Sequence, residues 1–351
     1  MPRKRKLCNR RGKNDARNER SSGRVGRPQL NSMRLPLDSC SGDATLPICV
    51  RWYAKAFRNY MQTTSTLRGS NDARTERLRQ MAPRRGRVPA SQRRVKRRLE
   101  QLRRLALKEA SVDTKRVYLT LWQATAAKNG GKTGARWKNK GFAVLQFDNS
   151  EAALDITNSI VISTLRMWMK RGFVAALFQS PTCASWSIAS KQPCLRSCAH
   201  PWGLPNLPSK AQNKVILGNQ EGWIALGFLK HSYECNVPAA LEHPATSYLL
   251  KTKEFFNIVK TCHAKLADFH QCCFGAAWWK PTTLVSIGIG KSPANQWVYR
   301  FGKQCRRKHN VCDFTGLPHV KLIGAIANTA SIYPLPMANK IADELAAQAA
   351  L

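Results

Sequence analysis

The stretch 173-FVAALFQSPTCASWS-187 joins a strand pattern to a candidate site. Residues 173–179 form an almost continuous apolar run, which is typical of a strand buried on both faces of a parallel sheet. Cys183 follows that run after four residues, and ligand sites of open α/β sheets gather beyond the carboxyl ends of their strands. The stretch therefore predicts a central strand that ends either at a reactive thiol or at a small buried cysteine, the commoner role.

Strand-like and helical patterns alternate on both sides of this run. The other strand candidates are short and apolar: 117–124, 142–148, 153–156, 237–242, 267–273, 284–289 and 319–324. Helical spacing of apolar residues is found at 159–172, 214–235, 253–266 and 336–351. Such alternation predicts an α/β fold with a doubly wound, mostly parallel, Rossmann-like sheet. Gly172 is expected at the C′ position of its helix.

The first part of the chain carries most of the positive charge. Of the 58 Lys/Arg and 20 Asp/Glu residues, 37 and 9 lie in residues 1–140, so this part holds about +28 of the formal net charge of +38. A polyanion partner, DNA or RNA, is the first expectation, because cations that neutralise phosphates release counterions. A ribosomal-type or organelle-targeting segment has the same composition.

The basic part divides further by its apolar content. Residues 1–47 have few apolar side chains and are expected to be disordered, whereas residues 48–65 show helical spacing. A basic amphipathic helix is predicted to begin with Ser91 as its N-cap, and it could lie along a phosphate backbone or pack on the domain that follows. We therefore expect a basic N-terminal segment, 1–111, and an α/β domain, 112–351.

The composition also bears on cellular location. No signal-peptide core lies near the N-terminus, and no run approaches the ~18 apolar residues of a membrane span. The 12 cysteines are too few for a disulfide scaffold, which predicts reduced thiols inside the cell. A basic cluster at residues 2–6 is either a nuclear-import or nucleic-acid patch, which would favour the nucleus over the cytoplasm, or a plain solvated tail. The sequence therefore predicts no membrane contact, and it gives no indication of oligomeric state.

Three groups with complementary chemistry are predicted to meet at one edge of the sheet. Cys183 follows one strand, Glu242 ends another, and Lys280 precedes a third. Addition of a thiol to an electron-poor ring needs a nucleophile, an acid and an orienting charge. Glu242 and Lys280 have ordinary alternatives as a strand-end acid and a solvated cation.

The order of these motifs resembles that of the C5-cytosine methyltransferases. SPTCASWS (180–187) resembles the family's Gly-Pro-Pro-Cys-Gln-x-Phe-Ser loop, and LEHP (241–244) resembles its Glu-Asn-Val loop. FGAAWWKPTTLVSIG (274–288) resembles the Gln-x-Arg-x-Arg region, and ANTASIYPLPMANKIA (327–342) resembles the C-terminal Gly-Asn helix motif. The resemblance covers about residues 116–345. Within the family, the sequence is most similar to methyltransferase-like domains of mobile-element polyproteins.

The resemblance implies an activity and a set of site residues. In that family the cysteine at the position of Cys183 attacks C6 of a flipped cytosine, and the carboxylate at the position of Glu242 contacts the ring. Lys280 takes the position of an arginine that orients the cysteine loop or the base. About 40 residues stand where the family places a large recognition domain, so nucleic-acid contact is expected from the basic segment.

The resemblance further implies S-adenosylmethionine as cofactor. Trp122 corresponds to the aromatic residue of the cofactor loop, Asp148 to the acid that holds the ribose, and Asp155 to the acid near the adenine. Asn328 belongs to the C-terminal motif beside the cofactor. Alanines stand at two positions of this loop where the family has glycine. The alternatives are therefore a degenerate, non-catalytic nucleic-acid-binding protein of a mobile element, and a basic structural component of a ribonucleoprotein.

A group of cysteines and a histidine in the same region suggests a metal site. Cys305, Cys312 and His319 are separated by six residues each, and Cys272 or Cys273 upstream could add a fourth ligand. Thiolate and imidazole ligands of this kind suit tetrahedral zinc. The spacing differs from that of a zinc knuckle, so small buried core cysteines remain the alternative.

Overall fold

The structure, a computed structural model of the 351-residue chain, describes the greater part of the α/β region. The described residues are 89–113, 115–122, 131–148, 154–187, 194–288, 301–307, 310–322, 330 and 332–350. The expectations for residues 1–47 and 48–65, and the assignment of Asn328, lie outside these residues.

Six α-helices and six strands make up the described part of the chain. The helices are α1 (Ala90–Glu109), α2 (Lys132–Asn139), α3 (Ser159–Lys170), α4 (Ser209–Glu234), α5 (Lys253–Thr261) and α6 (Leu335–Ala349). The strands are β1 (Val117–Leu121), β2 (Val144–Phe147), β3 (Val174–Gln179), β4 (Ala239–Pro244), β5 (Lys265–His270) and β6 (Pro281–Ile287). Short 3-10 helices span Tyr248–Lys251 and Gln271–Phe274.

The strands form one mixed sheet in the order β2-β1-β3-β4-β6-β5. The pairs β1–β2, β1–β3 and β3–β4 are parallel, whereas β6 runs antiparallel to both β4 and β5. The predicted α/β class and mostly parallel sheet are therefore confirmed. Because β6 is reversed, its first residues pair with the last residues of β4, as Thr282 does with Pro244. The residue before β6 thus lies at the carboxyl edge of the sheet.

Helices cover both faces of the sheet, which confirms the doubly wound arrangement. One core cluster joins α1, α3, α4 and α5 to the sheet around Leu119 and Leu177. The other joins α2 and α6 to the opposite face around Tyr118 and Phe178. β1 is buried along its whole length, as a central parallel strand requires.

The basic helix α1 packs on the sheet domain, one of the two alternatives that its sequence left open. Leu99 is fully buried in the core, and the Arg103 guanidinium lies 4.5 Å from the centre of the Phe173 ring. The helix is capped by Pro89 without a side-chain bond, so the prediction that Ser91 is the N-cap is wrong; proline presets the φ angle that suits a helix start. The division at residue 111 stays a prediction.

Two of the strand candidates do not form strands. In 153–156, the described residues lie in a turn, because the Asp155 carboxylate accepts hydrogen bonds from Thr157 N (2.8 Å) and Oγ1 (2.7 Å). Such side-chain bonds favour turns over strands. In 319–324, the described residues make only an isolated bridge, between Val320 and Trp278. Gly172 follows α3 with φ +70°, as predicted for a C′ glycine.

Candidate active site and cysteine–histidine cluster

The three predicted reactive groups lie at the edge where β3 and β4 end and β6 begins. Cys183 is half-buried and Glu242 is buried, with 4% of its surface exposed. Burial raises the pKa of the Cys183 thiol, the Lys280 ammonium lowers this pKa, and the Glu242 carboxylate raises it. The charges of Lys280 and Glu242 therefore both act on the sulfur, as expected of groups brought together at one edge of the sheet.

The Glu242 carboxylate is fixed through only one of its oxygens. Oε2 lies 2.5 Å from the Tyr333 hydroxyl, and it accepts a hydrogen bond from Ser180 Oγ at 3.3 Å. Burial, and after it the charge of Glu242, raise the pKa of Tyr333 well above its usual value. The hydroxyl therefore stays protonated and donates a hydrogen bond to Oε2. Oε1 is buried and has no hydrogen-bond partner among the described residues.

Lys280 is tied to the segment that carries Tyr333. Its Nζ donates to the carbonyl oxygen of Ala330 at 3.1 Å, and its own carbonyl oxygen accepts from Gln271 N at 3.1 Å. The side chain is half-buried. The cation is thereby held at a defined place instead of being a freely solvated charge, which was the alternative left by the sequence.

The loop that carries Cys183 is held by the helix α4. Thr182 N donates to Glu221 Oε2 at 3.0 Å, and Trp186 N and Ser187 N donate to the Cys183 carbonyl oxygen at 3.0 and 2.9 Å. These bonds fold the chain back directly after the cysteine. The backbone of the loop is thus held by its own hydrogen bonds after Cys183 and by α4 before it.

A buried arginine completes the support of this loop. Arg196 donates to Ser185 O at 2.8 Å and to Ser185 Oγ at 2.8 Å, and its guanidinium lies 3.5 Å from the centre of the Trp186 ring. It also donates to Asn219 Oδ1 at 2.7 Å. Burial lowers the pKa of Arg196 to about 9. The guanidinium therefore serves to fix the loop, because its N–H groups donate to Ser185 and Asn219.

Two glycines let α4 approach the loop closely. A Cβ added at Gly218 would lie 2.1 Å from Ser185 Oγ, and one added at Gly222 would lie 2.8 Å from Trp186 Cζ2. The sequence reasoning missed these glycines and Arg196. The available signal was glycine inside a helix, where it costs about 1 kcal/mol relative to alanine and usually has a packing reason.

His243, beside Glu242, was also missed by the sequence reasoning. It is fully buried, and neither ring nitrogen has a hydrogen-bond partner in the described part of the chain. Burial, with smaller contributions from Lys280 and Arg196, lowers the pKa of His243 to about 3. Because successive residues of a strand face opposite sides, the neutral imidazole lies under the sheet face opposite to Glu242.

The proposed cofactor residues lie at the ends of the first two strands. Trp122 follows β1 with φ +59°, and its buried Nε1 has no partner among the described residues. Its amide donates to Phe147 O at 2.8 Å, which places it beside Asp148, a buried acid that directly follows β2. Asp155 has a local structural role in the turn before α3. Trp122 and Asp148 therefore lie at the carboxyl edge of the sheet, where open α/β sheets bind their ligands.

The predicted metal ligands converge on one point. The ligand atoms of Cys272, Cys305, Cys312 and His319 all lie within 4.8 Å of one another, and all four residues are buried. Cys305 Sγ lies 3.7 Å from His319 Nε2. The structure also distinguishes Cys272 from Cys273, whose thiol donates to Lys303 O at 3.3 Å instead.

The electrostatics of this cluster are uneven. Burial raises the pKa of the Cys272 thiol far above its usual value. Burial also acts to raise the pKa of Cys312, but hydrogen bonds from the Thr315 side chain and from the Phe314 and Thr315 amides outweigh it and lower the pKa to about 6. The turn after Cys312 is therefore shaped to hold a thiolate.

Comparisons with known proteins identify no family. No protein-family model matches the chain, and no curated protein matches it. Among solved structures, a crystal structure of a DNMT2 mutant from Spodoptera frugiperda matches with 13% sequence identity and a TM-score of 0.30, and the match covers 51% of each chain. The chain thus spans about half the length of that structure. In the described residues, no helix is long and apolar enough to cross a bilayer.

Proposed function

We propose that this chain is a nucleic-acid-binding protein similar to the cytosine-C5 methyltransferases and that Cys183 is its nucleophile. The observation that carries the proposal is the state of Glu242 beside this cysteine. One carboxylate oxygen is held by Tyr333 and Ser180, and the other is buried without a partner in the described residues. An unsatisfied buried acceptor costs free energy, and this supports Oε1 as the atom that a bound ligand would contact.

The proposed reaction begins with the addition of a thiolate to a cytosine ring. The Cys183 sulfur forms a bond to C6, and the electron pair of the C5–C6 double bond moves to C5. Glu242 donates a proton from Oε1 to N3 of the ring as the thiolate adds, so that the developing negative charge is neutralised, and it takes the proton back when the thiolate leaves. S-adenosylmethionine, when bound, supplies the methyl group. The C5 proton then leaves to water, and the thiolate is eliminated from C6.

The protonation of Cys183 is a control point of this reaction. Burial keeps the thiol protonated, and Lys280 opposes that effect. The nucleophile is the thiolate, so the rate is expected to depend on the charge that Lys280 presents to the sulfur. In this proposal Lys280 therefore activates the nucleophile and does not simply orient the base.

The polyanion is proposed to bind mainly along the basic N-terminal segment, 1–111. The exposed face of α1 carries seven cations: Arg93, Arg94, Lys96, Arg97, Arg98, Arg104 and Lys108. Contacts of this kind act on phosphates and carry little sequence information. DNA and RNA are both compatible with them, and the basic cluster at residues 2–6 supports a nuclear location.

A non-catalytic nucleic-acid-binding protein of a mobile element is the second candidate. It is favoured by the two alanines at glycine positions of the cofactor loop, since backbone must approach such a cofactor closely. Calorimetry with S-adenosylmethionine separates the two functions. Cofactor binding that becomes weaker in Asp148→Ala supports the methyltransferase. If no binding is seen at millimolar cofactor, the non-catalytic binding protein is the function that remains.

A mechanism-based trap tests the nucleophile directly. A cytosine with fluorine at C5 cannot lose that substituent as a proton, so the covalent adduct accumulates when the enzyme, cofactor and 5-fluorocytosine oligonucleotide are mixed. We expect the adduct with the intact chain and with Cys198→Ser, a control at an exposed cysteine. Cys183→Ser should yield no adduct while keeping its melting temperature. An adduct in Cys183→Ser would refute the assignment.

A further inference from the structure

We propose that Cys272, Cys305, Cys312 and His319 bind one zinc ion in a closed, structural site. Three thiols and an imidazole converge within 4.8 Å, and all four side chains are buried. This site is independent of the proposed methyl transfer, because none of its residues belongs to the group around Cys183 and Glu242.

The spacing of the ligand atoms suits a tetrahedral ion. Zinc binds sulfur at about 2.3 Å and nitrogen at about 2.0–2.1 Å, so tetrahedral geometry separates a sulfur from a nitrogen ligand by about 3.6 Å. Cys305 Sγ and His319 Nε2 are 3.7 Å apart. Two sulfur ligands would be separated by about 3.8 Å, which lies within the 4.8 Å that encloses the whole set.

The histidine is oriented as zinc-binding histidines are. Its Nδ1 lies 3.1 Å from the carbonyl oxygen of Asn310, to which it can only donate a proton. The proton is then on Nδ1, and the lone pair of Nε2 points toward the sulfur of Cys305. A histidine ligand commonly donates its other ring N–H to a carbonyl in this way, which fixes its tautomer and its ring plane.

The backbone around the ligands is also held in place. Cys305 N donates to His270 Nδ1 at 2.8 Å, Cys312 N donates to Leu317 O at 2.9 Å, and His319 N donates to Asn310 O at 2.8 Å. Gly316, with φ +68°, makes the tight turn between the last two ligands. The backbone that carries these three ligands is thus held in place by hydrogen bonds.

The ligands come from three separate parts of the chain. Cys272 lies in the 3-10 helix that follows β5, Cys305 lies in the segment 301–307, and the other two lie in 310–322. A bound ion would therefore fasten both segments to the edge of the sheet beside β5. With four protein ligands no coordination position is left for a substrate, so the site is structural.

The direct test is the metal content of the full chain, purified without added metal and with a phosphine reductant. We expect about one equivalent of zinc by elemental analysis. Replacement of the zinc by cobalt should give the visible absorption of a tetrahedral thiolate site. Chelation should lower the melting temperature, because metal binding contributes to folding.

Matched variants locate the site. Cys312→Ser and His319→Ala should lose the zinc, whereas His319→Cys should keep it with four thiolate ligands. Cys273→Ser is the control, because its sulfur lies next to a ligand in sequence but bonds to Lys303 O. If Cys312→Ser fails to fold, the metal content and cobalt spectrum of the intact chain still decide the question.

Three results would overturn the proposal. The first is less than about a tenth of an equivalent of zinc in the intact chain, together with a melting temperature that chelation does not change. The second is full zinc content in both Cys312→Ser and His319→Ala. The third is a disulfide between two of the three cysteines in protein kept under reductant, found by mass spectrometry of its peptides.

Discussion

The Tyr333 hydroxyl lies 2.5 Å from the Oε2 atom of Glu242, although the two residues are 91 positions apart in the chain. Tyr333 stands just before α6, and its ring packs edge-on against Phe178 of β3, with ring centres 6.0 Å apart. The hydrogen bond therefore joins the last helix to the end of β4. The second carboxylate oxygen is buried and has no hydrogen-bond partner among the described residues.

Tyr333→Phe should misplace this carboxylate without removing the ring. A hydrogen bond to a charged group contributes about 1.5–3 kcal/mol, so we expect adduct formation with 5-fluorocytosine to slow by about tenfold or more. Tyr233→Phe, at an exposed tyrosine, should leave the rate unchanged. An unaltered rate in Tyr333→Phe would show that the bond does not position Glu242 for the reaction.

The charges around Cys183 should shift its titration in opposite directions. Lys280→Met removes a positive charge that favours the thiolate and should raise the pKa of Cys183, whereas Glu242→Gln should lower it. The measurement is the rate of iodoacetamide modification of the Cys183 peptide as a function of pH. Cys198 in the same samples is an internal control, since its profile should not change. Equal profiles in all three proteins would contradict the electrostatic coupling.

Gly218→Ala should disturb the cysteine loop from the side of α4. The added methyl group would lie 2.1 Å from Ser185 Oγ, and overpacking of this kind costs about 1–3 kcal/mol. That cost exceeds the gain of about 1 kcal/mol from placing alanine in a helix. Urea denaturation should show the loss, and Leu217→Ala on the exposed side of α4 should have little effect. A stabilised Gly218→Ala protein would mean that the loop has room to move.

His243 should make the fold sensitive to acid. Its pKa is about 3 in the folded chain and about 6.5 when unfolded, so the unfolded chain takes up the proton first. Stability is therefore lost as the pH falls from about 6.5 to about 3, by up to about 1.4 kcal/mol per pH unit. His243→Leu should have a flatter profile of unfolding free energy against pH. Parallel profiles would rule out this contribution.

Removal of residues 1–88 should reduce the salt dependence of nucleic-acid binding. Each phosphate contact contributes a slope of ~0.9 to the dependence of log affinity on log salt. The deletion must stop before Pro89, because α1 supplies Leu99 to the core. Arg94→Gln with Arg98→Gln tests the remaining helix. An unchanged slope in both proteins would place the contacts on the sheet domain.

The sequence predicted the features that depend on local patterns. Continuous apolar runs such as the one that ends at Gln179 are strands in the structure, because both faces of a parallel sheet are buried. The prediction of a strand at 153–156 was wrong, because the Asp155 carboxylate accepts a hydrogen bond from Thr157 and the chain turns there. Propensity does not record such a competing side-chain bond.

At the candidate site, the features that the sequence did not predict depend on contacts between residues far apart in the chain. The place of Tyr333 depends on Ser180, which is 153 residues away in sequence, and on the packing of α6. The choice of Cys272 over Cys273 depends on which of two adjacent side chains faces inward from a 3-10 helix. Neither relation follows from the spacing of apolar and polar residues, so the sequence alone does not predict it.

If a polyanion binds to α1 as proposed, it also affects the stability of the fold. Folding holds seven cations on one exposed helix surface, with Arg93 and Arg97, and Arg94 and Arg98, one turn apart. Like charges at this spacing repel and destabilise the helix. A polyanion that neutralises them binds the folded chain better than the unfolded one, and therefore raises its melting temperature by mass action. The amount of folded protein in a cell would then depend on the supply of nucleic acid.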